Sequence, residues 1–181
     1  MKLPAFPYHP HPIATGSVVK SDAACCCCGR VRGAVYVGPV YAVGEYEDCI
    51  CPWCIADGSA HENLGATFTE EDAIGGYGAW ETVPGDVIEE VAYRTPGFMG
   101  WQQERWWTHC GDAAQFLRYV GREELQDLGQ DAVAAFQESA CRDGGPEWEM
   151  VFADLDKDDS PTGYLFRCRR CGKLGGYFDF D

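Results

Sequence analysis

Two Cys-x-x-Cys pairs stand close together in this chain, Cys25 to Cys28 followed by Gly29, and Cys51-Pro52-Trp53-Cys54. Two residues between thiols allow a tight turn to aim both sulfurs at one ion, and two such pairs supply the four donors of a tetrahedral zinc site. Gly29 relieves crowding where backbone N–H groups approach the sulfurs. Zinc held by four protein ligands has no open position for a substrate, so the pattern predicts a scaffold before it predicts a catalyst. Between the pairs lie 22 residues, slightly more than such sites commonly use, and Val35 to Tyr41 reads as strand material for a hairpin. The expected module is a zinc ribbon over residues 24–55.

Four consecutive cysteines cannot all face one tetrahedral ion. The spacing selects Cys25 and Cys28 and leaves Cys26, Cys27 and Cys49 as spare thiols in a reducing compartment, with redox sensing as the alternative. A third pair, Cys168-Arg169-Arg170-Cys171-Gly172, lies near the C-terminus and needs partners from elsewhere. The best source is His109-Cys110, which gives a second, Cys3His zinc site closed across 57 intervening residues. Adjacent ligands point apart in an extended chain, so one of the two is open to replacement by Cys141 or water unless a loop turns both inward. Arg30 and Arg32 follow the first pair, and Arg167, Arg169, Arg170 and Lys173 surround the third; their positive charge favours thiolate ligands.

Charge narrows the partner classes. The chain has 14 basic and 29 acidic residues, a net charge of −15, so a nucleic acid would meet repulsion over most of the surface. From Gly33 to Tyr93 there is no Lys or Arg, while twelve Asp and Glu fall between Glu45 and Glu90. Asp112 to Asp159 holds thirteen acidic and four basic residues. These stretches predict anionic faces able to steer a basic protein. The Asp154 to Asp159 cluster lacks the glycine and terminal glutamate of a calcium-binding EF-hand loop. No apolar run reaches membrane-spanning length and the opening residues lack the form of a secretory signal, so the expected location is the cytoplasm.

The remaining chain reads as α+β. A Pro-rich arm, residues 1–23, leads into the ribbon, and residues 56–181 form a helical and antiparallel β region braced by the second Cys-rich site, one unit with the ribbon. Asp86 caps a helix over Val87 to Tyr93. Asp112 caps another, in which Ala113, Phe116, Leu117 and Val120 make a stripe at helical spacing, ended by Gly121. Helices fit Arg122 to Leu128 and Asp131 to Ala140, and Gly144-Gly145-Pro146 breaks the pattern. Three strands follow: Trp148 to Leu155, Gly163 to Cys168 and Leu174 to Phe180. The aromatic stretch from Tyr93 to Trp107 reads either as core or as a protein-binding hot spot built from Phe98, Trp101, Glu104 and Trp106.

Several strings resemble the bacterial CbrC family: Cys51-Pro-Trp-Cys-Ile-Ala-Asp-Gly-Ser-Ala60, Gly75-Gly-Tyr-Gly78, Arg94-Thr-Pro-Gly-Phe98, Gly100-Trp-Gln-Gln-Glu104 and His109-Cys-Gly-Asp112. The opening Leu3-Pro-x-Phe-x-Tyr-His-Pro and the closing Phe166-x-Cys-x-x-Cys-Gly fit as well, so the resemblance covers nearly the whole chain. It implies an association with tolerance to colicin E2, a nuclease toxin, and brings no catalytic residues. The expected function is therefore binding of a basic protein, with a nuclease toxin as the favoured class. Two other readings stand beside it: a zinc-ribbon adaptor for stress tolerance, and a metal-dependent enzyme using Asp57, Ser59, His61, Glu62 and Glu104 around the second metal. No nucleophile elbow or phosphate loop supports the enzyme.

Overall fold

The computed structural model describes residues 2–140 and 148–181. In chain order they form β1 (Val18–Lys20), β2 (Ala34–Tyr36), α1 (Pro52–Ala56), α2 (Ser59–Leu64), a 3-10 turn (Glu71–Ala73), α3 (Gly85–Arg94), β3 (Thr108–His109), β4 (Asp112–Ala113), β5 (Gln115–Val120), α4 (Arg122–Asp127), α5 (Gln130–Ala140), α6 (Trp148–Asp154), β6 (Thr162–Arg167) and β7 (Leu174–Asp179). The architecture is α+β with small antiparallel sheets, pairing β1 with β2, β3 with β4, and β5-β6-β7 in that order. The expected break at Gly144-Gly145-Pro146 lies outside the described residues.

Two expected elements are of the other type. The stripe Phe116, Leu117, Val120 is not helical but edge strand β5, because the run Phe116-Leu117-Arg118-Tyr119-Val120 is rich in residues that favour strands. A bulge between Phe116 and Arg118 inserts one residue against β6. It shifts the two-residue alternation so that Phe116 and Tyr119 meet on one face, ring centroids 5.5 Å apart, and the resulting spacing of three imitates a helix. Asp112, expected as a cap, instead accepts hydrogen bonds from the Tyr8 hydroxyl at 2.9 Å and Arg169 at 3.1 Å. Conversely, Trp148 to Asp154 is helix α6 and not a strand: Trp148 and Phe152, four residues apart, stack at 5.0 Å on one helical face. The third strand of the sheet is therefore β5.

Two further differences concern the first module. The hairpin expected over Val35 to Tyr41 is absent; β2 pairs with β1, which precedes the first cysteine pair. The Pro-rich opening is packed in: Phe6, Tyr8 and His9 are buried, and the backbone N–H of Phe116 donates to Tyr8 O at 2.8 Å. Helices α3, α4 and α5 lie within a residue or two of their expected spans, with Asp86 in the first turn of α3 and Pro84 at its cap.

Three apolar clusters hold these elements. The largest centres on Phe98, whose ring stacks on Phe116 at 4.0 Å and packs against Trp106, Tyr164 and Phe166 at 5.5, 5.5 and 5.7 Å. A second gathers Tyr36, Ile50, Ile55 and Phe68 around Cys25, Cys51 and Cys54. The third packs Leu125, Phe136 and Trp148 against Leu165 of the sheet. A fully buried phenylalanine touching four rings leaves a large void on truncation, so Phe98→Ala is expected to lower stability by about 3–5 kcal/mol, measured by denaturant unfolding of the metal-loaded protein.

Candidate metal centres

Both cysteine knuckles have the same backbone design. In the first, Gly29 N–H donates to Cys25 O at 2.7 Å and Cys25 N–H to Arg30 O at 3.0 Å; in the second, Gly172 N–H donates to Cys168 O at 3.0 Å and Cys168 N–H to Lys173 O at 2.8 Å. The fifth residue of each turn is a glycine with positive φ, +69° at Gly29 and +77° at Gly172. A side chain there would be strained, which explains why glycine follows each pair. The turn holds both thiols of a pair on one side of the chain.

At the first centre, Cys51 immediately precedes α1, Pro52 occupies its first position and Cys54 lies within its first turn. Helix geometry thereby presents Cys51 and Cys54 with sulfurs 3.6 Å apart. Across the site Cys25 to Cys54 is 3.9 Å and Cys28 to Cys51 is 4.0 Å. A tetrahedral zinc with Zn–S bonds of roughly 2.3 Å requires sulfurs about 3.8 Å apart, so the donor set fits that ion. The Cys51 N–H donates to Cys25 Sγ at 3.2 Å, a contact that stabilises a thiolate. Burial pushes the thiols of Cys51 up to about 11 and of Cys54 further. At Cys28 burial acts in the same sense but is outweighed by hydrogen bonds from the Arg30 backbone and the neighbouring thiols, which bring it to about 7. Binding of a metal must therefore displace protons, and acid must release it.

At the second centre, His109, Cys110, Cys168 and Cys171 bring their donor atoms within 4.8 Å of one another. His109 Nδ1 lies 3.2 Å from Cys110 Sγ and 3.6 Å from Cys171 Sγ, near the roughly 3.6 Å expected between N and S ligands of tetrahedral zinc. Adjacent residues both reach the site because Cys110 and Gly111 form the two-residue loop of the β3–β4 hairpin, with φ of +59° and +65°. Positive φ at both loop positions marks a type I′ turn, which Asn-Gly commonly fills. Cysteine in that strained conformation is turned back toward His109. Cys141 lies outside the described residues.

Other expected roles are redistributed. Cys26 and Cys49 are not spare: they are paired as a disulfide, Cα atoms 5.4 Å apart. Cys26 N–H also donates to Cys49 O at 2.8 Å, so the pair fastens the first knuckle to the chain just before Cys51. This pairing carried no signal in the spacing, since cysteine connectivity depends on the fold. Cys27 keeps a free thiol, 3.4 Å from Ser59 O. Two of the arginines beside the second centre serve a carboxylate instead of the sulfurs: Arg169 and Arg170 approach Asp112 at 3.1 and 3.9 Å, tying the knuckle to the Tyr8 segment. Arg32 lies over the Trp53 ring at 5.3 Å.

The polar set considered for catalysis is not assembled around the second metal. Asp57 Oδ1 accepts from Ser59 N–H at 3.0 Å and Ser59 Oγ at 2.6 Å, and Ser59 reaches Cys54 O at 3.4 Å. These residues shape the link from α1 to α2, beside the first centre. His61 stacks on Tyr93 at 3.7 Å, and Glu62 is exposed on α2. Of the aromatic segment, Phe98, Glu104 and Trp106 are interior, at 0, 2 and 0 % exposure, whereas Trp101 is 44 % exposed. Three of the four expected anchors are thus core, consistent with the packing alternative.

Glu104 is the unusual member. Tyr41 donates to its Oε2 at 2.6 Å, while Oε1 has no hydrogen-bond partner among the described residues. Burial pushes its carboxyl up to about 6, against the opposing effect of the Tyr41 hydrogen bond. The folded chain therefore holds this proton more tightly than the unfolded chain does. Its contribution to stability is full below the ordinary carboxylate range and is lost as pH rises through about 6.

Three outcomes follow from these sites. Purified protein is expected to carry two zinc ions per chain, and Cys51→Ser to carry one fewer with a lower unfolding midpoint, measured by elemental analysis and calorimetry; one ion in the unaltered protein would remove the second centre. Glu104→Gln is expected to gain stability relative to the unaltered protein between about pH 4.5 and pH 7, by up to about 2 kcal/mol. Denaturant unfolding of both proteins across that range checks it, since acid release of metal affects the two alike.

The uncharacterised protein family UPF0167 matches residues 3–180 of the chain. UPF0167 protein Mb2317 of Mycobacterium bovis is 48% identical over 184 residues, covering 99% of this chain and 94% of its own length. UPF0167 protein PA1536 of Pseudomonas aeruginosa is 39% identical over 181 residues, covering 99% and 97%. No solved structure matches the chain. With two knuckles of one design in a chain matched almost end to end, this protein belongs to the UPF0167 family.

Proposed function

We propose that the chain is a zinc protein whose two centres are structural, and that it acts by binding a basic protein partner. One observation carries the first half: each cluster gathers four protein donor atoms within 4.8 Å of one another, and four such ligands on a tetrahedral ion leave it no position for substrate or activated water. The energy of zinc binding is then folding energy. Seven of the eight donors are cysteine thiols, which ligate a metal as thiolates.

The second half rests on charge. A chain at −15, with its first acidic stretch free of any basic residue over sixty positions, attracts a cationic protein and repels nucleic acid. Nuclease domains are commonly basic because they hold a polyanion, and the resemblance to the CbrC family supports a nuclease toxin as the class. Binding through such a surface draws on long-range attraction that ordinary salt screens within about 8–10 Å.

The zinc-loaded protein is expected to associate with a basic nuclease domain at a rate that falls tenfold or more, on the order of the steering effect, between about 0.05 M and 0.5 M salt. Stopped-flow or surface binding measures it. Co-expression with the toxin is expected to protect the host. A salt-insensitive rate, or no protection and no complex, would sink the reading.

A further inference from the structure

A cleft of about 690 Å³ lies away from both candidate metal centres and uses none of their ligands. Its volume falls in the range of small-molecule sites. Its walls come from the segment before β1, the loop around Trp101, strand β5 and the turn at Lys157. Ile13, Met99 and Trp101 are its apolar surfaces, and each is 44 to 57 % exposed. Three large apolar side chains left in water around one concavity mark a place where burial has yet to occur.

The cleft is pre-formed. Trp101 is pinned by its indole N–H, which donates to Thr162 Oγ1 at 2.9 Å, and by its backbone N–H, which donates to the Tyr164 hydroxyl at 3.2 Å. Gln102 N–H donates to Asp179 Oδ2 at 3.1 Å, and the Tyr164 hydroxyl to Asp179 Oδ1 at 2.7 Å. An aromatic ring held at its edge with a face still exposed offers stacking at little entropic cost.

Two polar groups on β5 face the same cleft with capacity to spare. The Tyr119 hydroxyl accepts the Met99 N–H at 3.0 Å, but its own proton has no acceptor among the described residues. Burial pushes this phenol up to about 12, so it remains a donor at neutral pH. Arg118 is exposed and makes no ion pair or hydrogen bond among the described residues, although acids outnumber bases 29 to 14 in the chain. The other lining charges are occupied with one another: Lys157 pairs with Glu124 at 3.0 Å and with Asp158 at 3.5 Å. The bulge in β5 is what brings these donors here, since it turns Tyr119 to the face shared with Phe116 and Tyr164 and leaves Arg118 beside it on the open edge.

We propose that this cleft binds a small aromatic carboxylate, its ring against Trp101, Met99 and Ile13 and its carboxylate held by Arg118 and the Tyr119 hydroxyl. A guanidinium and a phenol O–H are both donors, and an acceptor that carries negative charge satisfies the two together more strongly than a neutral carbonyl does. Ring and thioether surfaces favour an aromatic body over an aliphatic one. This inference does not rest on the protein-binding reading, so its failure would leave that reading untouched.

The probe is 3-phenylpropionate, titrated into the zinc-loaded, nitrogen-15-labelled protein while the Trp101 indole N–H resonance is followed. The expected result is a saturable shift with a dissociation constant of roughly millimolar or tighter, as the size of the probe allows. Arg118→Gln weakens it about tenfold and Tyr119→Phe by about threefold or more, the scale of lost hydrogen bonds to a charged group. In the unaltered protein 3-phenylpropionamide binds about tenfold more weakly, and hexanoate about threefold more weakly. Absence of a saturable shift overturns the site. Equal binding of the amide, or an unchanged affinity in a folded Arg118→Gln protein, overturns the carboxylate assignment, and equal binding of hexanoate overturns the aromatic one.

Discussion

Convergence of thiols from distant parts of the chain is the constraint on which the rest of this structure depends. The first centre joins residues 25–28 to the start of α1, and the second joins the β3–β4 turn to the turn between β6 and β7. A metal bound at either cluster would close a long loop and remove many conformations from the unfolded chain, and both clusters lie where regular structure is sparse. Strands of two or three residues, such as β1 and β3, have little stability of their own. They persist because knuckles, aromatic packing and the buried Asp112 network hold their ends.

The aromatic cluster around Phe98 performs the complementary task. It lies between β5-β6-β7 and α3, and its rings meet in offset and edge-on arrangements that add to simple burial. The same segment changes character within three residues: Phe98 is wholly buried while Trp101 stands in the cleft wall. The backbone N–H groups of Met99, Trp101 and Gln102 donate to the Tyr119 and Tyr164 hydroxyls and to the Asp179 carboxylate, and these bonds fix that change of direction. Core and cleft are thus two sides of one short loop, and the rigidity of the first gives the second its shape.

Charge and metal act at different ranges. The cysteine clusters gather side chains over a few ångströms, whereas the field of the acidic excess extends across a Debye length. Asp112 shows the two working together: Tyr8, Arg169 and Arg170 converge on it, so the C-terminal knuckle is secured by an ion pair as well as by its own turn.

The three Cys-x-x-Cys pairs were legible in the sequence because their spacing is a local geometry with a local cause, whereas the approach of both His109 and Cys110 to the third pair depended on the β3–β4 hairpin. The helices α3, α4 and α5 were legible for the same reason, their apolar periodicity and turn residues being written in consecutive positions. Strand β5 was not: a bulge breaks the two-residue alternation, and only pairing with β6 reveals it. Helix α6 was not, since its short apolar run fits either period until Trp148 packs beside Phe136. The Cys26–Cys49 pairing, the burial of Glu104 and Trp106, and the meeting of Arg118 and Tyr119 with Trp101 all join residues far apart in the chain. Sequence by itself determined which residues could bind metal, because ligand spacing is a property of a few adjacent bonds; the tertiary structure alone decided which side chains face water, because burial is set by everything that packs around them.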